Sequence, residues 1–148
     1  MSGKRLVFRF ERGGEFIATI RPDLAPATVE AVLRMLPIVT TVYHSRWSGR
    51  EINFPVQSPC LVPREKQTCT VNTGDVIYWK EWEIPEGAAE AIAVYYGAEV
   101  TRDHRGALPV NVFARVDPSS WETIEAIGLR IWQQGVEELE VGLAGEMD

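Results

Sequence analysis

The chain has 148 residues, of which 45% are hydrophobic and 24% charged, with a formal net charge of −6. That length and balance suit one folded domain with a core of its own, spanning 1–148, and exclude a disordered tail. The acidic charge and the scattered Lys and Arg exclude nucleic acid as a partner, and no run of 18 apolar residues offers a membrane span.

The stretch Met1 to Glu11 lacks the apolar core of a signal peptide, so a cytoplasmic location is expected. In that compartment Cys60 and Cys69, the two cysteines, read as ordinary strand or loop residues.

Lys4 to Glu11 alternates, with Leu6, Phe8 and Phe10 on one face, and predicts a strand. Arg12-Gly13-Gly14 is a turn, and Glu15 to Ile20 returns as the second arm of a hairpin. Pro22 to Pro26 breaks the sheet and opens a helix over Ala25 to Leu36, with Val29, Val32, Leu33 and Leu36 on its apolar face and Pro37 as its stop.

Ile38 to His44 is β-rich, Ser45 to Gly49 is a polar turn carrying Trp47, and Glu51 to Val56 resumes as a strand. Ile52, Phe54 and Val56 share one face of that strand; Glu51 and Asn53 share the other. Gln57 to Lys66 is a loop, Gln67 to Val71 and Val76 to Trp79 are strands, and Glu81 to Glu90 is an acidic exposed loop.

Ala91 to Tyr96 is apolar almost without interruption, as in a strand buried on both faces. A charged loop over Glu99 to Leu108 leads to a strand over Pro109 to Val116. Ser119 and Ser120 are N-cap candidates for a second helix ending near Gly135, with Ile124, Ile127, Gly128 and Ile131 inward. Glu137 to Leu143 is the last strand. The sum is a mainly β protein, a closed or nearly closed barrel with two helices over its open ends.

Gly14 to Glu30, with its strand running into Ala25-Pro26-Ala27-Thr28-Val29-Glu30, resembles the opening hairpin and first helix of a cyclophilin. Four further pieces resemble, in order, a bacterial and archaeal family of unknown function with a cyclophilin-like fold: His44 to Phe54, Gly74 to Trp79, Ala93 to Gly97 and Pro109 to Val116. The resemblance implies a cyclophilin-like closed barrel. It departs from the catalytic cyclophilins, which carry Phe-His-Arg and Gln-Gly-Gly segments where this chain reads Trp47-Ser48-Gly49-Arg50-Glu51. Arg50 is the one residue arguable into the catalytic arginine's place.

The segment His44 to Phe54 concentrates polar and aromatic chemistry around Gly49, and a small-molecule site is expected there, at the mouth of the barrel. Glu51 is the candidate general base or polar anchor, His44 a proton shuttle, and Arg50 a holder of a carboxylate or carbonyl. Trp47, Tyr78, Tyr96 and Asn111 are the candidate ligand-binding residues, the last three because each carries a hydrogen-bonding tip on an apolar strand. Tyr95 and Phe113 read as core.

His44, Glu51 and His104 have metal-ligand chemistry without metal-ligand spacing, so no metal is expected. Gly13-Gly14 stands alone, without a phosphate loop, and no cofactor is expected. The expected function is therefore binding of a small polar metabolite, with catalysis left open. The alternatives are a peptidyl-prolyl isomerase and a non-catalytic structural module. For the latter, Trp121 and Trp132 on the late helix are the candidates for a contact in a homo-oligomer.

Overall fold

The computed structural model describes residues 3–147. In chain order the elements are β1 (Arg5–Phe10), β2 (Glu15–Ile20), α1 (Pro26–Met35), β3 (Ile38–His44), β4 (Glu51–Pro55), β5 (Thr70–Val71), β6 (Asp75–Lys80) and β7 (Glu90–Tyr95). There follow the two-residue strands β8 (Glu99–Val100), β9 (Arg102–Asp103) and β10 (Gly106–Ala107), then β11 (Asn111–Val116), α2 (Trp121–Gln134) and β12 (Glu137–Leu143).

Eight strands close into an antiparallel barrel in the order β1-β12-β3-β4-β7-β6-β11-β2. The period of two decides what fills it. Leu6, Phe8, Phe16, Ala18, Ile52, Phe54, Val76, Tyr78, Ile92, Val94, Phe113 and Leu139 all enter one buried cluster. The Phe8 and Phe16 rings stack at 4.7 Å between centroids.

The helices close the two ends. Near α1, β2 finishes and β11 begins, with Val29, Ala31 and Val32 completing the core. Near α2, β3 finishes and β4 begins. Ile124, Ile127, Gly128 and Ile131 are its buried stripe, as their spacing predicts. Gly128 is needed there because a Cβ would run into the Tyr96 ring. The Trp121 indole is 42% exposed and donates to the Val116 carbonyl at 3.1 Å, and Trp132 is 61% exposed, so neither is a core residue.

The outer face of β4, β7 and β6 is covered as well. A second, smaller cluster of Val71, Ile77, Ala93, Tyr95, Val110 and Val112 lies there. It is covered by the excursion from β8 to β10 and by the stretch around β5, which pair with each other through Thr70–Val100 and Val71–Glu99. This explains the uninterrupted apolar run of β7: Ile92 and Val94 face the barrel, while Ala93 and Tyr95 face the cover. Two sequence expectations are corrected here. Gln67 to Val71 is a strand only at Thr70–Val71, with a single antiparallel bridge from Thr68 to Val110, and the charged loop over Glu99 to Leu108 contains three short strands. Both segments take their shape from the face they cover, a tertiary effect without local periodicity. Both cysteines are free thiols. Among the described residues no helix is long and apolar enough to cross a membrane.

Candidate functional site

Register decides which side chains meet on the outer wall. Glu51 pairs with Tyr95, Asn53 with Ala93, Ala93 with Ile77, and Ala91 with Trp79. All alternate outward, opposite Ile52, Phe54, Ile92 and Val94. These rows floor an open cavity of about 390 Å³. The turn from Tyr43 to Ser48 forms one wall; Arg102, Asp103, Leu108 and Val110 form the other. This cavity lies on the outside of the barrel and not at its mouth, because α2 fills the end.

The turn is built around Ser45. Its Oγ accepts the backbone N–H of Trp47 at 3.1 Å and of Ser48 at 2.8 Å. Ser48 Oγ in turn accepts from the Arg102 amide and donates to its carbonyl, both at 2.9 Å, fastening the turn to the cover. Gly49 has φ +73, and a Cβ there would meet the Glu99 carboxylate at 2.6 Å, so the position calls for glycine.

Glu51 lies at the bottom of this arrangement and is 8% exposed. None of the ion pairs among the described residues involves it. Burial pushes its carboxyl from the ordinary 4.5 up to about 7; the polar groups of Ser45, Asn53, Ser48 and Tyr95 oppose the shift only in part. The Tyr95 hydroxyl is itself pushed up, by burial first and then by the Glu51 charge, so it remains a proton donor at neutral pH. The result is a carboxyl group raised towards neutral pH, in a largely apolar hollow edged by Trp47 and Trp79.

Of the residues singled out in the sequence, Glu51, Trp47 and His44 border this cavity. The His44 ring, however, has its nitrogens engaged elsewhere. Nδ1 lies 3.0 Å from the Ser45 carbonyl and must be the donor; Nε2, 2.6 Å from the Tyr96 hydroxyl, is therefore the acceptor. Burial lowers the His44 pKa, which keeps this neutral tautomer. His44 is thereby a clasp between β3 and Tyr96, beside the Trp132 ring at 4.9 Å.

The other four lie outside the cavity. Arg50 points to the surface, where Nε donates to Glu99 at 2.6 Å and Nη2 to the Ala98 carbonyl at 2.9 Å. Tyr78 faces the barrel core and donates to Glu90 at 2.5 Å. Tyr96 belongs to the core under α2. Asn111 is fully buried in a closed network: its Nδ2 donates to Thr28 Oγ1 and the Pro63 carbonyl, and its Oδ1 accepts from the Glu65 amide and Gln67 Nε2. That network fastens the stretch over Pro63 to Gln67 to the start of α1.

Sequence reasoning did not place Ser45, Ser48, Asn53, Trp79 or Arg102 at the site, and it read Tyr95 as core. Asn53 was visible as a neighbour of Glu51 on one strand face. The meeting of Tyr95 with Glu51 depends on the β4–β7 register, which no local pattern fixes.

The closed barrel with two helices recurs in solved structures. McbB, in its complex with tryptophan, superposes with a TM-score of 0.76 at 16% identity over 97% of this chain and 46% of that one. This chain thus spans about half the length of that neighbour. The hypothetical protein AF2241 from Archaeoglobus fulgidus matches with a TM-score of 0.58 at 27% identity, over 94% of this chain and 93% of that one. The Mimivirus cyclophilin matches with a TM-score of 0.54 at 12% identity, over 95% and 87%. The likenesses to McbB and to the cyclophilin concern the fold alone, which is cyclophilin-like. No curated protein matches the sequence. A family model does, over residues 10–143, and on that match the chain belongs to the family described as protein of unknown function DUF3830.

Proposed function

We propose that the chain binds a small polar molecule in the cavity over Glu51 and that Glu51 exchanges a proton with it near neutral pH. One observation carries the reading: Glu51 is a buried carboxyl without a cationic partner, yet it lines an open cavity. Burying such a group opposes folding when it ionises, and perturbed carboxyls in clefts are the groups enzymes use as acids and bases. With its pKa raised towards neutral pH, Glu51 serves as a proton donor or acceptor. Trp47 and Trp79 supply apolar surface for the body of the ligand; Asn53 and Tyr95 supply its polar contacts. McbB, 46% of whose chain this barrel matches, forms a complex with tryptophan, a small polar metabolite of the class proposed here.

The prolyl-isomerase alternative rests on the resemblance of the opening hairpin and first helix to a cyclophilin; Arg50, the residue arguable into the catalytic arginine's place, is engaged by Glu99 away from the cavity. The alternative of a structural module gives Glu51 no role.

The test is a thermal-shift screen of the whole chain against small carboxylates, cyclic amides and aromatic amines. A ligand at 100 times its Kd stabilises the fold by about 2.7 kcal/mol. The expected result is a hit that disappears in Glu51→Gln. A hit that persists in Glu51→Gln and in a Trp79→Ala variant would place the ligand elsewhere and end this reading.

A further inference from the structure

We propose that the molecule bound over Glu51 is an acid whose oxyanion, a carboxylate or a phosphate, is received by Arg46 and Arg102 at the rim of the cavity; the inference rests on the ligand reading of that cavity. Nine of the twelve arginines are held in ion pairs among the described residues. The other three are Arg34 on α1, Arg46 and Arg102. The last two line one cavity, Arg46 from the Tyr43–Ser48 turn and Arg102 from the opposite wall. In a chain of net charge −6, two uncommitted cations at one hollow are a concentration of charge that the fold does not use.

The backbone is fixed on both sides, while the guanidinium groups make no hydrogen bond among the described residues. Ser45 Oγ holds the amides of Trp47 and Ser48, just after Arg46. Ser48 Oγ bonds the amide and the carbonyl of Arg102, both at 2.9 Å, and so ties the two walls together. The carboxylates alongside are already taken: Arg50 holds Glu99 at 2.6 Å, and Arg105 holds Asp103 at 2.6 Å. Both Arg46 and Arg102 are exposed, which puts them at the open side of the cavity, whereas Glu51 is buried on its floor among neutral polar groups.

This division selects the ligand class. The proton-exchanging end meets Glu51, a flat or apolar body crosses Trp47 and Trp79, and the charged end meets the rim. A guanidinium offers a planar fork of donors that matches the oxygens of a carboxylate or a phosphate. A cation in the same place would face two like charges.

Calorimetric titration of the whole chain with indole-3-propanoate and with its uncharged primary amide tests this; in both probes the ring N–H can donate to Glu51. In the wild type the acid should bind about tenfold more tightly than the amide, the size of one hydrogen bond to a charged group. Arg46→Gln and Arg102→Gln should each lower the affinity for the acid by about threefold and leave that for the amide unchanged. In the double variant the two probes should bind alike, with an unchanged unfolding midpoint, and added salt should shrink the wild-type ratio. Competition by acetate and by inorganic phosphate separates the two sources of the oxyanion, the stronger competitor naming the class. Equal binding of acid and amide by the wild type, or a ratio that survives the double variant, overturns the oxyanion inference, and the Glu51 site stands if both probes are lost in Glu51→Gln. Binding of neither probe up to its solubility limit counts against the Glu51 site itself, and the inference falls with it.

Discussion

Glu51 and Glu137 each open a strand, β4 and β12, and each is buried, at 8% and 4% exposure. Their surroundings are opposite. Arg130 grips Glu137 with two hydrogen bonds of 2.9 Å, and Arg12 adds its backbone N–H at 3.0 Å and its guanidinium at 3.0–3.1 Å. Burial alone would raise the Glu137 carboxyl, but these contacts outweigh it and hold it below its ordinary value. The cluster joins the β1–β2 turn, α2 and β12, so its charge is spent on the fold. Glu51 faces only neutral polar groups, and its pKa moves the other way. A buried acid that ties elements together has a structural explanation. One that opposes folding and lines a cavity calls for a functional one.

The largest expected effect is on the structural side. Glu137→Ala leaves Arg12 and Arg130 facing each other without their shared counter-charge, and breaking a buried pair costs about 3–5 kcal/mol. The arginines are 30% and 21% exposed, which places the loss towards the lower figure. Urea unfolding at pH 7 measures it. Because the folded pKa of Glu137 is depressed, its stabilisation is present above 4.5 and declines as pH falls through the folded value. A loss no larger than that of an exposed Glu→Ala change would remove the contrast.

Glu51 has the opposite pH dependence. Its folded pKa, about 7, lies above its ordinary 4.5, so between these values the folded state holds more protons than the unfolded one. Stability therefore falls as pH rises through that window, by on the order of 3 kcal/mol. Glu51→Gln removes the titration. Wild type minus variant, from urea curves carried from pH 4.5 to well above pH 7, should decline by that amount and then level off above the folded pKa. A flat difference would mean an ordinary carboxyl, and the comparison with Glu137 would lose its meaning.

The barrel was legible in the sequence because strands with one face in a core alternate, as Leu6, Phe8 and Phe10 do, and because α2 repeats Ile124, Ile127 and Ile131 at helical spacing. The apolar run of β7 even announced a cover on the outer wall. The cover itself was not legible, since β8 to β10 follow a surface and have no period of their own. Glu51 stood out as a carboxyl on a strand face opposite Ile52 and Phe54. Tyr78, Tyr96 and Asn111 stood out for a sound reason, that buried polar tips need partners. Those partners proved to be Glu90, His44 and the Thr28–Glu65–Gln67 network, all within the protein. A sequence shows that a polar tip is buried, but not whether protein or ligand satisfies it.

Ser45→Ala sharpens the contrast at a smaller scale. It removes the acceptor for the Trp47 and Ser48 amides and one of the groups that oppose the rise in the Glu51 pKa. The expected cost is about 1–2 kcal/mol. The pH at which the Glu51-dependent difference levels off should also move upward. A stability loss without that movement would make Ser45 a brace of the turn alone.

The smallest effect is expected at Arg50, and it separates the cavity reading from the isomerase one. Its guanidinium is more than half exposed and committed to Glu99 and the Ala98 carbonyl, outside the cavity. Exposed pairs of this kind contribute little to stability, so Arg50→Ala should leave the fold intact and the Kd of a cavity ligand within about twofold. The same variant should leave the rate of proline isomerisation in a coupled peptide assay at the level the wild type shows. If Arg50→Ala instead abolished ligand binding, the arginine would have to leave Glu99 and turn inward when ligand arrives. Glu51 would then have a cationic partner in the bound state, and the difference between the two buried glutamates would be a property of the empty cavity alone.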